Sequence, residues 1–306
     1  MSLKKIGAFG TALAASFALA YGVAHAVAPD SARTSGETSA HATGGHGGDE
    51  HGSQKHGGEE HGGGATTAAH TPGGLQVSER GYTLDLLTPR LPAGKESVLR
   101  FAVRDADGHP VTSYRAEHEK ELHLIVASRD LTTYRHLHPV RAADGTWSTT
   151  TALPEAGTYR VFADFTPAAE RDGLTLGTDL AVSGTYRPAT PPAPAATATV
   201  DGYTVRLGGT LRPGEESELT FTVTRAGRPV TALQPYLGAY GHLVALRSGD
   251  LAYLHVHPHQ EAHGTETSGP GVSFTAAAPS AGTYRLFLDF KTGGKVRTAA
   301  FTVTAR

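Results

Sequence analysis

The feature that most constrains the fold is an internal repeat, and its clearest part is a histidine-containing window that occurs twice. The first window reads HLIVASRDLTTYRHLHP over residues 123–139, and the second reads HLVALRSGDLAYLHVHP over residues 242–258. In each window a His opens the stretch, two more follow 13 and 15 positions later, and a Pro closes it. A fold that accommodates the first copy must therefore accommodate the second.

The rest of the repeat indicates β structure. Each copy ends in a Gly-Thr-Tyr strand, AGTYRVFADF at 156–165 and AGTYRLFLDF at 281–290. About seven short strands per copy, separated by Gly- and Pro-containing turns, are typical of an antiparallel immunoglobulin-like sandwich. We therefore predict an all-β chain with two tandem sandwich modules. Alternation predicts the inward-facing rows Tyr159, Val161, Ala163 and Phe165 in copy one, and Tyr284, Leu286, Leu288 and Phe290 in copy two.

The predicted organisation has five parts. They are an apolar N-terminal helix over 1–28, a disordered His/Gly-rich tether over 29–74, module 1 over 75–184, a Pro/Ala-rich linker over 185–199 and module 2 over 200–306.

The N-terminal segment is predicted to export the chain. Two lysines precede the apolar run 6–28, which is near the length of about 20 residues that spans a bilayer. An uncleaved single-pass anchor with its N-terminus inside is one alternative, and cleavage after Ala24-His25-Ala26 with secretion is the other. Both place everything after residue 30 outside the cytoplasm.

Composition limits the chemistry of any bound metal to nitrogen and oxygen ligands. The chain has no Cys, and its single Met is the first residue, so thiolate and thioether sites are excluded. A net charge of −2 gives no reason to expect a nucleic-acid partner.

The tether contains regularly spaced imidazoles. Five of them recur at every fifth residue among Gly pairs and acidic residues, and a sixth follows. We call these six the tether histidines: His41, His46, His51, His56, His61 and His70. Imidazole binds zinc, copper and nickel, and Gly spacers let several rings reach one ion, so we predict loose, unselective metal capture. A soluble spacer is the alternative.

The repeated windows predict a second kind of site. Residues two apart on a strand project on the same face about 6.6 Å apart, so His136 and His138 point together. A hairpin turning at 129–131 would bring His123 beside both. The same arithmetic applies to copy two, so we predict one three-His metal site per module. The predicted ligands are His123, His136 and His138 in module 1, and His242, His255 and His257 in module 2.

Asp164 and Asp289 are the candidate carboxylates, because each lies opposite the predicted core row and could complete a site or orient a His. Glu117, His118, Glu119 and Glu121 have no equivalents in copy two, and His259 and His263 occur only there, so we interpret them as local additions. His109 is predicted to be solvated surface.

The repeat also resembles a group of exported actinobacterial-type proteins labelled heavy-metal-binding. The shared pattern is H-L-x-V-x-x-x-D-L-x-x-x-x-H-x-H-P followed by A-G-T-Y-R-x-F-x-D-F. Copy one carries it from His123 through Pro139 and again over 156–165, whereas copy two has its Asp-Leu pair shifted by one to Asp250-Leu251. More distantly, the modules are similar to periplasmic copper-resistance sandwiches, whose amino-terminal His ligand has no equivalent here. The resemblance implies metal binding.

These observations predict a membrane-anchored or secreted protein that binds or buffers Cu(II), Zn(II) or Ni(II), with the first two preferred. The alternative is a non-catalytic cell-surface interaction protein whose His are structural. An enzyme is not expected, because no general base occupies an equivalent place in both copies. No protein partner is indicated.

Overall fold

The computed structural model describes residues 71–254, 256–262 and 264–306. The predicted anchor, nearly all of the predicted tether with its six histidines, and His255 and His263 lie outside the described residues. Within the part of the chain that is described, no helix is long and apolar enough to cross a membrane.

Module 1 is built from eleven strands. They are β1 (Ser78–Glu79), β2 (Tyr82–Leu86), β3 (Arg90–Pro92), β4 (Glu96–Arg104), β5 (Tyr114–Arg115), β6 (Leu122–Ser128), β7 (Tyr134–Leu137), β8 (Val140–Arg141), β9 (Thr146–Ala152), β10 (Gly157–Pro167) and β11 (Leu174–Ser183). One sheet has the order β1-β2-β4-β9-β8, and the other has the order β3-β11-β10-β6-β7 with β5 paired to β10. All pairings are antiparallel except β3 with β11.

Module 2 repeats this plan with ten strands. They are β12 (Thr197–Val200), β13 (Tyr203–Gly208), β14 (Glu216–Arg225), β15 (Arg228–Pro229), β16 (His242–Arg247), β17 (Tyr253–Leu254), β18 (Val256–Pro258), β19 (Gly271–Ala277), β20 (Gly282–Thr292) and β21 (Lys295–Ala305). Its sheets have the orders β12-β13-β14-β19-β18, with β15 on β14, and β17-β16-β20-β21. The predicted all-β class with two tandem sandwiches is confirmed, and β12 begins inside the predicted linker.

Each module has its own apolar core between its two sheets. The predicted inward rows of β10 and β20 are buried, from Tyr159 through Phe165 and from Tyr284 through Phe290. In module 1 they pack with Phe101 and Trp147, and in module 2 with Phe221 and Phe301. Alternation placed these side chains correctly because each row faces the opposite sheet of its own sandwich.

A third apolar cluster joins the modules, and it is built on the outer faces of β6, β7 and β10 in module 1 and of β16 and β20 in module 2. Its buried members are Ile125, Ala127, Leu131, Tyr134, Phe162, Val244, Leu246, Leu251 and Phe287. At its centre the rings of Tyr134 and Phe287 stack with centroids 4.1 Å apart. The two facing sheets are therefore covered on both sides, by the core of their own module and by the other module.

The chain enters this body between the modules. The Gly73 carbonyl accepts a hydrogen bond from the Tyr253 amide at 2.9 Å, and the Gly74 amide donates to the Thr175 carbonyl at 2.7 Å. A side chain at Gly74, whose φ is +75°, would lie within 2.4 Å of the Phe162 ring, so only Gly fits. Arg160 secures the segment through the Gly74 carbonyl at 2.7 Å.

Candidate metal centre

Equivalent strands of the two modules present equivalent histidines to the interface. His123 lies on β6 opposite Asp164 on β10, and His242 begins β16 opposite Asp289 on β20. Both His–Asp pairs point away from the core of their own module, since they lie on the faces that the modules turn toward each other. The repeat therefore delivers two imidazoles to one place.

Four imidazoles meet there, and we call His123, His136, His138 and His242 the histidine cluster. The rings of His123 and His242 stack with centroids 5.2 Å apart. The His136 ring lies 4.8 Å from both His138 and His242. One potential ligand nitrogen from each of His123, His136 and His242 falls within a mutual distance of 4.8 Å, a spacing that one metal ion could bridge after small ring rotations.

The structure brings together the three histidines predicted for module 1 and adds His242 of module 2 to them. The second predicted site, His242 with His255 and His257, stays a prediction. His257 is exposed and lies on β18, which pairs with β19 in the other sheet of module 2. His255 lies outside the described residues. The two windows follow different paths, because β17 ends at Leu254 whereas β7 continues to Leu137.

Asp289 holds His136 across the interface. Its Oδ2 accepts a hydrogen bond from His136 Nδ1 at 2.8 Å, and both side chains are almost fully buried, at 2% and 3% exposure. Thr298 donates to the other carboxylate oxygen. Asp289 was a sequence candidate, and the structure places it as the orienting partner of a histidine from the other module. Asp164, its counterpart, accepts from Thr175 Oγ1 at 2.9 Å.

The hydrogen bonds of His123 and His136 determine where their ring protons lie. A carbonyl oxygen only accepts, so His123 Nε2 must donate to the Glu117 carbonyl, 3.1 Å away. The carboxylate of Asp289 likewise requires the proton of His136 on Nδ1. A neutral imidazole has a single N–H, so His123 Nδ1 and His136 Nε2 both present lone pairs, and these atoms are 3.2 Å apart. Two lone pairs in contact call for a proton or a metal cation between them.

Burial disfavours placing that proton on His123, His138 or His242. It lowers the pKa of His123 to about 3, with a further lowering from the neighbouring charge of His136. Burial, followed by the charges of His136 and Lys120, lowers the pKa of His138 to about 4. His242 has its pKa held well below the ordinary range, again chiefly by burial. Neutral imidazole is the form that binds a metal ion, so these groups are ready to act as ligands at neutral pH.

Two further ring nitrogens have no hydrogen-bond partner among the described residues although they are buried. These atoms are His138 Nε2 and His242 Nδ1. A buried polar atom normally has a partner, and an unpaired one costs about 1–3 kcal/mol. The donor set fits a metal. With Zn–N bonds of about 2.0–2.1 Å, tetrahedral geometry separates two ligand nitrogens by about 3.3–3.4 Å, close to the His123–His136 contact.

One residue that sequence reasoning set aside, His118, also reaches the cluster. Its ring lies edge-on to His242 with centroids 5.4 Å apart, and 6.2 Å from His123. It lines a cavity of about 380 Å³ that also borders His123, Asp164 and His242. No repeat pattern indicated it, because copy two has a leucine at the equivalent position.

The composite character of the site did have a signal in the sequence. All seven residues of β6, LHLIVAS, are buried, and β20 is buried on both faces over most of its length. Continuous apolar stretches such as LIVA and LFL, instead of strict alternation, indicate strands that are covered on both sides. These apolar stretches predict that the outer faces of β6 and β20 contact another apolar surface.

His257 lines the same cavity as His123 and His242, whereas His109 and His259 have other partners. His109 is exposed, as predicted. It lies in a turn where its backbone amide donates a hydrogen bond to the Asp105 carboxylate at 2.9 Å. Asp105, Asp107 and His109 have ligand atoms near one another, but this turn hydrogen bonding accounts for their spacing. His259 is exposed and bonds Thr275 at 2.7 Å.

Comparison with known protein families gives a match over both modules. The profile of a domain of unknown function, DUF8832, matches residues 76–179 and again residues 198–306. The chain belongs to the DUF8832 family. No curated protein matches it.

Several solved structures share a low level of similarity with this DUF8832 protein. The Escherichia coli adhesin FdeC is 17% identical, with 75% of this chain and 65% of that chain covered and a TM-score of 0.24. InvD of Yersinia pseudotuberculosis is 15% identical, with 74% and 58% covered and a TM-score of 0.25. Domains 4 and 5 of the S-layer protein SbsC are 12% identical, with 75% and 98% covered and a TM-score of 0.22.

The chain spans less than two thirds of the FdeC and InvD chains. At TM-scores this low the likeness says nothing about what this chain binds. Neither the family match nor these structures bear on metal binding.

Proposed function

We propose that this protein binds a divalent transition-metal ion, Cu(II), Zn(II) or Ni(II), outside the cytoplasm, at a single centre between its two modules. The ligands are His123, His136 and His242, with His138 as the fourth nitrogen or as a replacement for a bound water. Asp289 accepts the Nδ1 proton of His136, and this bond orients the ring so that its Nε2 can face a metal ion. The protein buffers or delivers the ion and performs no reaction on it.

One observation carries this proposal, namely the facing lone pairs of His123 Nδ1 and His136 Nε2, 3.2 Å apart inside the interface. In the neutral form of both rings, each lone pair follows from a hydrogen bond on the opposite side of its own ring, to Glu117 in one case and to Asp289 in the other. A bridging cation turns this repulsion into two bonds. His242 supplies a third nitrogen, and burial lowers the pKa of His123 and of His242, which favours the neutral form that binds a metal.

The tether histidines fit the same role. A chain with six imidazoles on Gly spacers raises the local concentration of loosely held ions near the modules to which it is joined. The apolar segment 1–28, as an anchor or as a cleaved export signal, would keep both parts outside the cytoplasm.

The proposal is tested by calorimetric titration of the full-length chain in which the tether histidines are replaced by Gln, so that only the modules contribute. We expect saturable binding of Zn(II) or Cu(II). It should be lost in His136→Gln and kept in His109→Gln, a matched change at an exposed His. Absence of saturable binding by the parent protein for all three metals would refute the proposal.

A second candidate function is non-catalytic interaction at the cell surface, with the cluster serving only to hold the modules together. The His136–Asp289 bond favours it, since a buried hydrogen-bonded pair at 2.8 Å across an interface fixes the relative position of the modules without any metal. On this alternative a chelator leaves the thermal midpoint of the purified protein unchanged, and His136→Gln lowers that midpoint in metal-free buffer. On the metal hypothesis, added Zn(II) raises the midpoint of the parent and leaves that of His136→Gln unchanged.

A further inference from the structure

Two equivalent turns border the histidine cluster. In module 1 the amides of Glu117 and Lys120 each donate to the other's carbonyl, at 2.8 and 3.0 Å. In module 2 Tyr236 and Ala239 exchange the same pair of bonds, at 2.8 and 3.3 Å. Each turn has two central residues with positive φ, as a type I′ turn requires.

The module 1 turn is built from residues that this backbone disfavours. His118 and Glu119 have φ values of +49° and +65°, whereas module 2 has Gly238 at the second position. The left-handed conformation is unfavourable for a residue with a side chain, and type I′ turns usually carry Asn-Gly. Strain of this kind persists where the surroundings enforce it. Here Thr166 donates to the Glu117 carboxylate and His123 donates to its carbonyl, so the turn is anchored on both sides.

The two turns cover the cluster differently. On the module 2 side the Tyr236 ring lies 6.1 Å from His138, and Leu237 is 4% exposed, so that side is closed by apolar groups. On the module 1 side stands His118, which is exposed and lies 5.4 Å from the His242 ring. It borders the cavity of about 380 Å³, and Glu121 and Asp164 also line that cavity. The cavity therefore reaches the cluster past two imidazoles, those of His118 and His257. Its lining also carries both charges, with the acids Glu117, Glu121, Asp164 and Asp172 and the bases Arg115, Lys120 and Arg171.

We propose that His118 is the capture ligand of the centre: it takes a hydrated divalent cation from the cavity and passes it to His123, His136 and His242. This proposal rests on the proposed function. In the first step the His118 nitrogen replaces one water of the ion. The three buried nitrogens then replace further waters, and His118 leaves last. No bond other than metal–ligand bonds changes, and the released waters return to the cavity.

The proposal is tested by the kinetics of Zn(II) binding and release, followed by stopped flow with a chromophoric chelator as competitor. The protein is the full-length chain with the tether histidines changed to Gln. His118→Leu introduces the residue that module 2 carries at this position with φ +57°, so the turn is expected to keep its shape. His118→Gln is a second variant that keeps a polar side chain, and near-ultraviolet circular dichroism checks the fold of both.

Both variants are expected to slow association by about tenfold or more and to slow dissociation by a similar factor, so the equilibrium constant changes by less than about threefold. A residue that only assists passage has this signature. Unchanged rates would overturn the proposal. A loss of affinity by about tenfold or more, caused by faster release, would also overturn it, because His118 would then be a permanent ligand. If the parent protein bound no Zn(II), the proposed function itself would fail.

Discussion

At the scale of single residues, two aspartates at the same position of the repeat have different tasks. Asp164 lies on β10 and Asp289 lies on β20, each just before the last Phe of the predicted core row. Each carboxylate accepts a hydrogen bond from a threonine hydroxyl on the neighbouring strand. Of these two aspartates as the structure describes them, only Asp289 accepts a hydrogen bond from a histidine ring. The difference gives a matched pair of variants.

Asp289→Asn is expected to weaken Zn(II) binding by about 10–100-fold, because the amide no longer fixes the proton of His136 on Nδ1. Asp164→Asn makes the same chemical change at the equivalent position and should have a clearly smaller effect. Competition titrations with a chelator of known affinity measure both. Equal losses in the two variants would contradict the role assigned to Asp289.

The buried histidines also predict how stability depends on pH in the metal-free protein. Since the pKa values of His123 and His138 fall to about 3 and about 4 from an ordinary 6.5, only the unfolded chain binds protons there between pH 6.5 and about 4. The free energy of unfolding should therefore fall as the pH is lowered through this range. Asp164 opposes the trend between about pH 6 and 3.8, because burial raises its pKa to about 6.

Urea denaturation of the metal-free protein at pH 7.5, 6 and 5 measures this dependence. The double variant His123→Gln with His138→Gln should show a flatter profile than the parent, because two of the responsible groups are gone. A parent protein that becomes more stable on acidification would contradict the assignment of neutral, buried imidazoles.

At the scale of elements, much could be predicted from alternation and spacing. The core rows of β10 and β20 followed from period-two patterning, and the β6–β7 hairpin followed from its turn, with Leu124 paired to Leu137. The path of the second histidine window, over residues 242–258, could not be predicted in this way. Identical His spacing implied identical pairing, but β18 crosses to the other sheet, where His257 pairs with Thr275. The choice between two sheets depends on packing partners that local sequence does not specify.

The strained turn at 117–120 carries a prediction of its own. Glu119→Gly should stabilise the protein by up to about 1 kcal/mol, because relief of the left-handed strain exceeds the entropic cost of Gly. Gly238→Glu is the reverse change in module 2, where the space around the residue is open and φ is +72°, so only the backbone resists it. It should destabilise by about 1 kcal/mol. Denaturant midpoints test both, and destabilisation by Glu119→Gly would show that the turn is not strained.

At the scale of the whole molecule, the centre exists only because the modules pack face to face. His123, His136 and His138 come from module 1, while His242 and Asp289 come from module 2, and the apolar interface beside them holds the two sets in register. Neither module sequence on its own predicts the other's contribution. Strands that are apolar on both faces, such as β6 and β20, indicate that a second surface covers them. The repeat does not predict that this surface belongs to the other module.

Phe287→Ala should therefore weaken metal binding without touching a ligand. The ring is 2% exposed and stacks on Tyr134 across the interface, so its loss should cost about 3–5 kcal/mol of stability and loosen the modules. Phe221→Ala is the matched control, since this ring is fully buried inside module 2 and away from the interface. At a temperature where both variants remain folded, only Phe287→Ala should lose Zn(II) affinity. Retention of parental affinity by Phe287→Ala would separate the centre from the interface.

The central claim is that one metal centre is shared by two modules, and the number of ions per chain tests it most directly. Native mass spectrometry of the full-length chain with the tether histidines changed to Gln should show one bound Zn(II). His136→Gln in module 1 and His242→Gln in module 2 should each reduce that number to zero. Two ions per chain, with each variant losing only one, would contradict a shared centre and restore an independent site in each module.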